Sequence, residues 1–157
     1  GDVDILIDAG VTNAAHRIVD HLRQPGKIDD GKIEYLIVTH SHDDHYGGII
    51  ATDGIFDSFT VENIIDFPKS TKSPTSGNYK KYLTKRDKQV AGGAKVLDVI
   101  KMLANKTNTI EIASNITMTI LDQRYYHETA TTDNNYSVCT LITQLNNSYL
   151  FTKEQFS

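Results

Sequence analysis

A chain of 157 residues with 39% apolar side chains has enough material for one domain with its own core. Its formal charge of −4 argues against a broad nucleic-acid-binding face, and its single cysteine, Cys139, excludes an internal disulfide or a thiolate-rich metal cluster. No apolar run approaches the length of a membrane-spanning helix, and no charged-then-apolar leader opens the sequence.

In chain order, "DILIDA" (Asp4 to Ala9) reads as a short buried strand closed by Gly10. From Asn13 to Leu22 the apolar positions fall at helical spacing, with Thr12 or Asn13 as the expected N-cap. The turn-rich "QPGKIDDGK" then leads into a second strand, "IEYLIVT". A helix is expected to begin between Gly47 and Ala51, and a strand around "VENIIDF". The segment "PKSTKSPTSGN" has the composition of an exposed, mobile insertion. A long helical pattern runs from Tyr79 to about Lys106, interrupted at Gly92-Gly93, with "AKVLDVIKMLAN" as its amphipathic second half. The remainder is β-rich: "ITMTILD", a polar loop from Gln123 to Asn135, "YSVCTLITQL" and "SYLFT", with a hairpin turn expected at Asn146-Asn147. Cys139 lies in one of these alternating runs and reads as a small core residue.

The chemistry concentrates in "THSHDDHYGG", Thr39 to Gly48, at the carboxyl end of the second strand. Three of the six histidines fall here, with the spacing His40-x-His42-x-Asp44-His45. Imidazole and carboxylate are the ligands a borderline cation accepts when thiolates are absent. In an extended segment, side chains two apart lie on one side, so His40 and His42 reach one ion together. A turn at Asp43 swings Asp44 and His45 toward a neighbouring position. Two ligands are thus offered to each of two sites, and Gly47-Gly48 let the backbone pass close by. His16 and His21, by contrast, read as ordinary helix residues.

His-x-His-x-Asp-His followed by Gly-Gly, preceded by "LIDAG", resembles the metallo-β-lactamase-fold hydrolases. The later "DNNYSVCTLI…YLFT" resembles the branch of competence proteins of the ComEC type, which includes phosphorylcholine esterases. The resemblance spans Asp4 to Thr152 and implies a mixed α/β fold, an αββα sandwich, over a single partial domain at residues 1–157. It implies two divalent metal ions, zinc first with manganese or iron as alternatives, at one edge of the two sheets. His40 and His42 would serve the first metal. Asp44 and His45 would serve the second, with Asp44 also orienting or deprotonating the attacking water. Asp8 would support the metal loop without binding metal. A further ligand is expected from the loop before the later strands, where His127 and Asp122 compete for the position. The family places Gly-Asp after the "YLFT" strand, where this sequence has Lys153-Glu154, and continues with further elements and a last histidine. The chain as written is therefore expected to hold its second metal poorly.

The metal-type loop points to a hydrolase acting through a metal-activated water, and the resemblance implies a phosphodiester or related ester as its substrate. Two other readings stand beside it. One is a degenerate, non-catalytic metal-binding domain. The other is a nucleic-acid-binding module using the basic run from Lys69 to Lys88, interleaved with Tyr79 and Tyr82.

Overall fold

The structure is a computed structural model that describes residues 3–152. Four short strands, β1 (Ile5–Ile7), β2 (Lys32–Ile37), β3 (Thr60–Asp66) and β4 (Lys95–Asp98), form a parallel sheet in sequence order. Parallel neighbours require crossovers, and crossovers are right-handed. Because the strand order never reverses, the crossover helices all fall on one face of the sheet. These are α1 (Ala15–Leu22), α2 (Asp43–Ile50), α3 (Ile55–Ser58) and α4 (Gly77–Ala91), which contact one another as a layer. After β4 comes α5 (Val99–Ala104).

The second sheet is antiparallel, again in sequence order: β5 (Thr109–Ala113), β6 (Ile116–Leu121), β7 (Cys139–Gln144) and β8 (Asn147–Phe151). Ile33, Leu36, Ile64 and Ile65 of the first sheet and Met118 and Ile120 of the second belong to one buried cluster. The two sheets therefore share a core, and the fold is mixed α/β as the sequence implied. Beyond β5, the described residues hold only two further helical pieces: the single turn α6 (Arg124–His127) and a 3-10 turn at Asp133–Tyr136. α4 is fastened to the end of β3 by Asp66, which accepts from the Tyr82 hydroxyl at 2.8 Å and the Arg86 guanidinium at 2.7 Å.

Several local expectations are corrected. Lys95–Asp98 is a strand, although its sequence runs on into a helical pattern. Pairing with β3 wins there, and the helix starts only after Asp98, whose carboxylate caps it by accepting from the Lys101 N–H. α1 starts at Ala15, after a 3-10 turn at Thr12–Ala14, and no side chain caps it. β5 was not assigned from sequence. The hairpin between β7 and β8 turns one residue earlier than expected. Gln144 pairs with Asn147, and Leu145 adopts the left-handed conformation (φ 53°).

The segment at 68–76 is the largest correction. Its composition suggested a free insertion, but Thr71 donates from both N–H and hydroxyl to Asp133, at 2.7 and 2.8 Å. The Ser70 hydroxyl lies 2.7 Å from that of Ser41, and Lys69 donates to the Glu128 carbonyl at 3.1 Å. Hydroxyl-rich composition here means hydrogen bonds to the protein, rather than to water alone.

Candidate metal centre

β2 ends at Ile37, and the chain leaves the sheet between the ends of β1 and β3. The Asp8 N–H donates to the Ile37 carbonyl, and the Val38 N–H to that of Ile65, both at 2.9 Å. Thr39 is held from the approach to the second sheet as well, its carbonyl accepting from the N–H of Val138, the residue before β7, at 2.9 Å. The histidine loop thus begins where the two sheets meet. It bends at His40 and Ser41, is extended again at His42 (φ −97°, ψ 145°), and α2 starts at Asp43, four residues before the helix was expected. Asp43 and Asp44 occupy the first turn, where carboxylates favour the positive end of the helix dipole.

The two glycines place this helix. α2 lies so close to the end of β1 that a Cβ on Gly48 would run into the Ala9 carbonyl. One on Gly47 would come within 2.7 Å of the Thr12 nitrogen. The resulting approach is closed by hydrogen bonds from Ala9 N–H to the His45 carbonyl and from Gly48 N–H to the Gly10 carbonyl, both 2.8 Å.

Four ligand-type side chains meet on this frame. His40 is fully buried, and its Nε2 lies 3.0 Å from His42 Nδ1. The His40 and His45 rings are 3.9 Å apart between centroids. His45 Nε2 lies 3.8 Å from Asp44 Oδ2, and the Asp44 side chain is 64% exposed. Beneath them, Asp8 receives three groups of the loop. Thr39 N–H reaches Oδ1 at 2.8 Å, while the Thr39 hydroxyl and His45 Nδ1 reach Oδ2 at 2.7 and 2.6 Å. Asp8 adopts the left-handed conformation (φ 56°), one that an Asp tolerates better than most side chains.

Asp43 faces the other way. Its carboxylate accepts from the Asn78 amide at 2.9 Å and lies 3.5 Å from Lys72 Nζ. Burial pushes its pKa up, but Asn78 and Lys72 outweigh that and hold the carboxyl below its usual range. Beside His45 and Thr39, a cleft of about 390 Å³ is bounded by Ile7 on one side and Leu150, Phe151 and Thr152 on the other. The end of β8 therefore borders the loop. Lys153 and Glu154, the positions contrasted with Gly-Asp, lie outside the described residues.

The donor chemistry suits a divalent cation. Two imidazole nitrogens on one zinc ion, each about 2.0–2.1 Å from it, stand roughly 3.3 Å apart. The His40–His42 separation is close to that. His45 Nε2 and Asp44 form a second, looser pair. Among the described residues, however, no group of three or more His, Cys, Asp or Glu side chains is placed to hold an ion. The expected third ligand is not supplied by His127. α6 carries that side chain into solvent, 61% exposed, and its Nε2 takes Asp122 at 2.8 Å, so the two candidates pair with each other. The residues fit as two half-sites.

The basic run is largely occupied within the protein. Lys69 binds the Glu128 carbonyl, Lys72 pairs with Asp43, Lys85 with Asp57 and Arg86 with Asp66. Sequence reasoning missed Thr39 and Asp133. Thr39 had a legible signal, a hydroxyl directly before the first histidine. Asp133 had none, because its partners are over sixty residues away.

No curated protein matches the chain. The family model of the metallo-beta-lactamase superfamily, whose members are in general metal-dependent hydrolases, matches residues 1–57. That segment runs from β1 into α3 and contains Asp8, Thr39 and both donor pairs, so the likeness to the superfamily and the candidate metal centre fall on the same residues.

Proposed function

We propose that this chain carries the metal loop of a hydrolase that cleaves an ester bond, a phosphodiester first, with water as nucleophile. The observation that supports this most directly is the arrangement of the four donors as two adjacent pairs at the junction of the sheets. In this reading His40 and His42 hold one divalent ion and Asp44 with His45 a second, zinc or manganese. A bound divalent cation lowers the pKa of water from 15.7 to about 7 and neutralises charge developing on the ester oxygens. Asp44, the most exposed of the four, accepts a hydrogen bond from the attacking water and orients it. Asp8 stays behind the loop and keeps His45 in place. The cleft beside His45 admits the substrate, its apolar wall at Leu150 and Phe151 excluding water from one side. The ComEC-type and phosphorylcholine-esterase resemblance is what favours phosphodiesters over other esters.

A second reading has its own support. The donors come in twos among the described residues, and an ion held by two protein ligands exchanges easily. A metal-binding domain without turnover fits that count. Elemental analysis of protein purified without chelator, followed by turnover of an activated aryl phosphodiester with added Zn²⁺ or Mn²⁺, separates the two. At least one ion per chain and turnover that a chelator abolishes are expected. Metal without turnover establishes the second reading, and protein that takes up no metal overturns both. Turnover of lactams or thioesters alone overturns the substrate class.

A further inference from the structure

Four short contacts in the loop determine where its protons are. The Asp8 carboxylate has no proton to give, so each group that meets it must donate. Its Oδ1 takes the Thr39 N–H, and its Oδ2, at 2.7 Å, takes the only proton of the Thr39 hydroxyl. That hydroxyl lies 3.0 Å from His40 Nδ1. With its proton committed to Asp8, Thr39 Oγ1 meets the ring as an acceptor, so the ring proton sits on Nδ1. The opposite tautomer would leave Asp8 Oδ2 and Thr39 Oγ1 facing each other at 2.7 Å with no proton between them, a repulsive contact of lone pairs.

We propose that Thr39 is a positioning residue: its hydroxyl, aligned by Asp8, holds His40 in the Nδ1–H tautomer and presents the Nε2 lone pair to His42. Asp8 does the same to His45 directly, at 2.6 Å, leaving the His45 Nε2 lone pair on the side of Asp44. One carboxylate thus sets two imidazoles, one of them through a relay. His40 Nε2 and His45 Nε2 are left unprotonated, as an N-ligated cation requires. His42 Nδ1, 3.0 Å from His40 Nε2, supplies the proton between those two rings in the metal-free protein, a proton that a cation held there would replace. The consequence for metal rests on the function proposed above, whereas the tautomers belong to the protein without metal.

Nitrogen-15 NMR of the metal-free full chain, at a pH where the rings are neutral, reads the tautomers directly. His40 and His45 should both show a protonated Nδ1 and a pyridine-type Nε2. Thr39→Ser keeps the hydroxyl and should keep the His40 pattern; Thr39→Val removes it and should release His40 into a mixture. Asp8→Asn makes the sharper test, because an amide is nearly isosteric and Asn tolerates the left-handed backbone. Its oxygen stays on the Thr39 N–H, and its NH₂ replaces Oδ2 as a donor. The Thr39 hydroxyl should then turn its proton to His40 Nδ1, and both rings should switch to Nε2–H. Zinc affinity, by competition with a chelating dye, should fall about 10- to 100-fold in Asp8→Asn and Thr39→Val and stay near wild type in Thr39→Ser. An Nδ1–H His40 that persists in both Thr39→Val and Asp8→Asn overturns the proposal. Wild-type protein that shows the tautomers but binds no zinc overturns the metal reading and leaves the Thr39 relay supported.

Discussion

His42 ends the loop and His45 sits in the first turn of α2, both half-buried, whereas His40 is closed off from solvent. Their replacement should therefore separate binding from folding. His42→Ala and His45→Ala are expected to lower zinc content well below that of wild type while shifting the unfolding midpoint only slightly. His40→Ala should lower both, because it empties a fully buried position and strips Thr39 Oγ1 of a donor. Metal content by elemental analysis, alongside a guanidinium melt for each variant, checks this. Equal zinc in wild type and the His42/His45 double variant would remove these side chains from the site. The individual donors were legible because His-x-His-x-Asp-His is a local pattern, complete within six residues. What holds them was not: Asp8 is more than thirty residues from Thr39 in sequence, and only the pairing of β1 with β2 brings them together.

At the scale of elements, the site depends on how closely α2 approaches β1. Gly48→Ala adds one methyl where the Ala9 carbonyl already sits, and that neighbour is backbone with no rotamer to move aside. The expected cost is about 3 kcal/mol, the upper end for overpacking. It should be accompanied by loss of zinc binding, since α2 carries Asp44 and His45. Thermal unfolding and zinc titration of Gly48→Ala measure the two effects. A variant as stable as wild type would show that β1 and α2 are free to separate. Element identities were legible where the residue pattern and the pairing agree, as in β2, β3 and β6. They failed at Lys95–Asp98, where four residues of helical-looking sequence are taken into a sheet by β3. No pattern within so short a segment outweighs a row of ladder hydrogen bonds with a neighbouring strand.

Across the whole molecule, Asp133 joins parts far apart in the chain. It is 3% exposed and, besides Thr71, lies by the hydroxyls of Ser41 and Ser70. Burial pushes its pKa up, but the Thr71 N–H and these hydroxyls prevail and hold it below the usual 3.8. A carboxyl lowered by folding contributes stability that is fully present above its unfolded pKa. That contribution is lost as pH falls through the lower folded value. Wild-type stability should therefore drop as pH falls below about 4, and Asp133→Asn should be less stable at neutral pH with a shallower acid dependence. Guanidinium midpoints of both proteins from pH 7 to pH 3 give the comparison. Parallel curves would assign the acid sensitivity to other carboxylates.

From the sequence alone came the mixed α/β class, the strand that ends in the histidine loop, and the pairing of donors by spacing. Each of these rests on near neighbours, because periodicity and ligand spacing are properties of a few consecutive residues. The tertiary structure decided the rest. It turned the segment at 68–76 from a free loop into a bridge, took His127 away to Asp122, and put Thr39 between Asp8 and His40. Such contacts join residues whose separation in sequence carries no pattern. They exist only once β1, β2 and β3 lie side by side and the second sheet closes over their ends, because a hydrogen bond of 3 Å tolerates almost no error in where those strands stop.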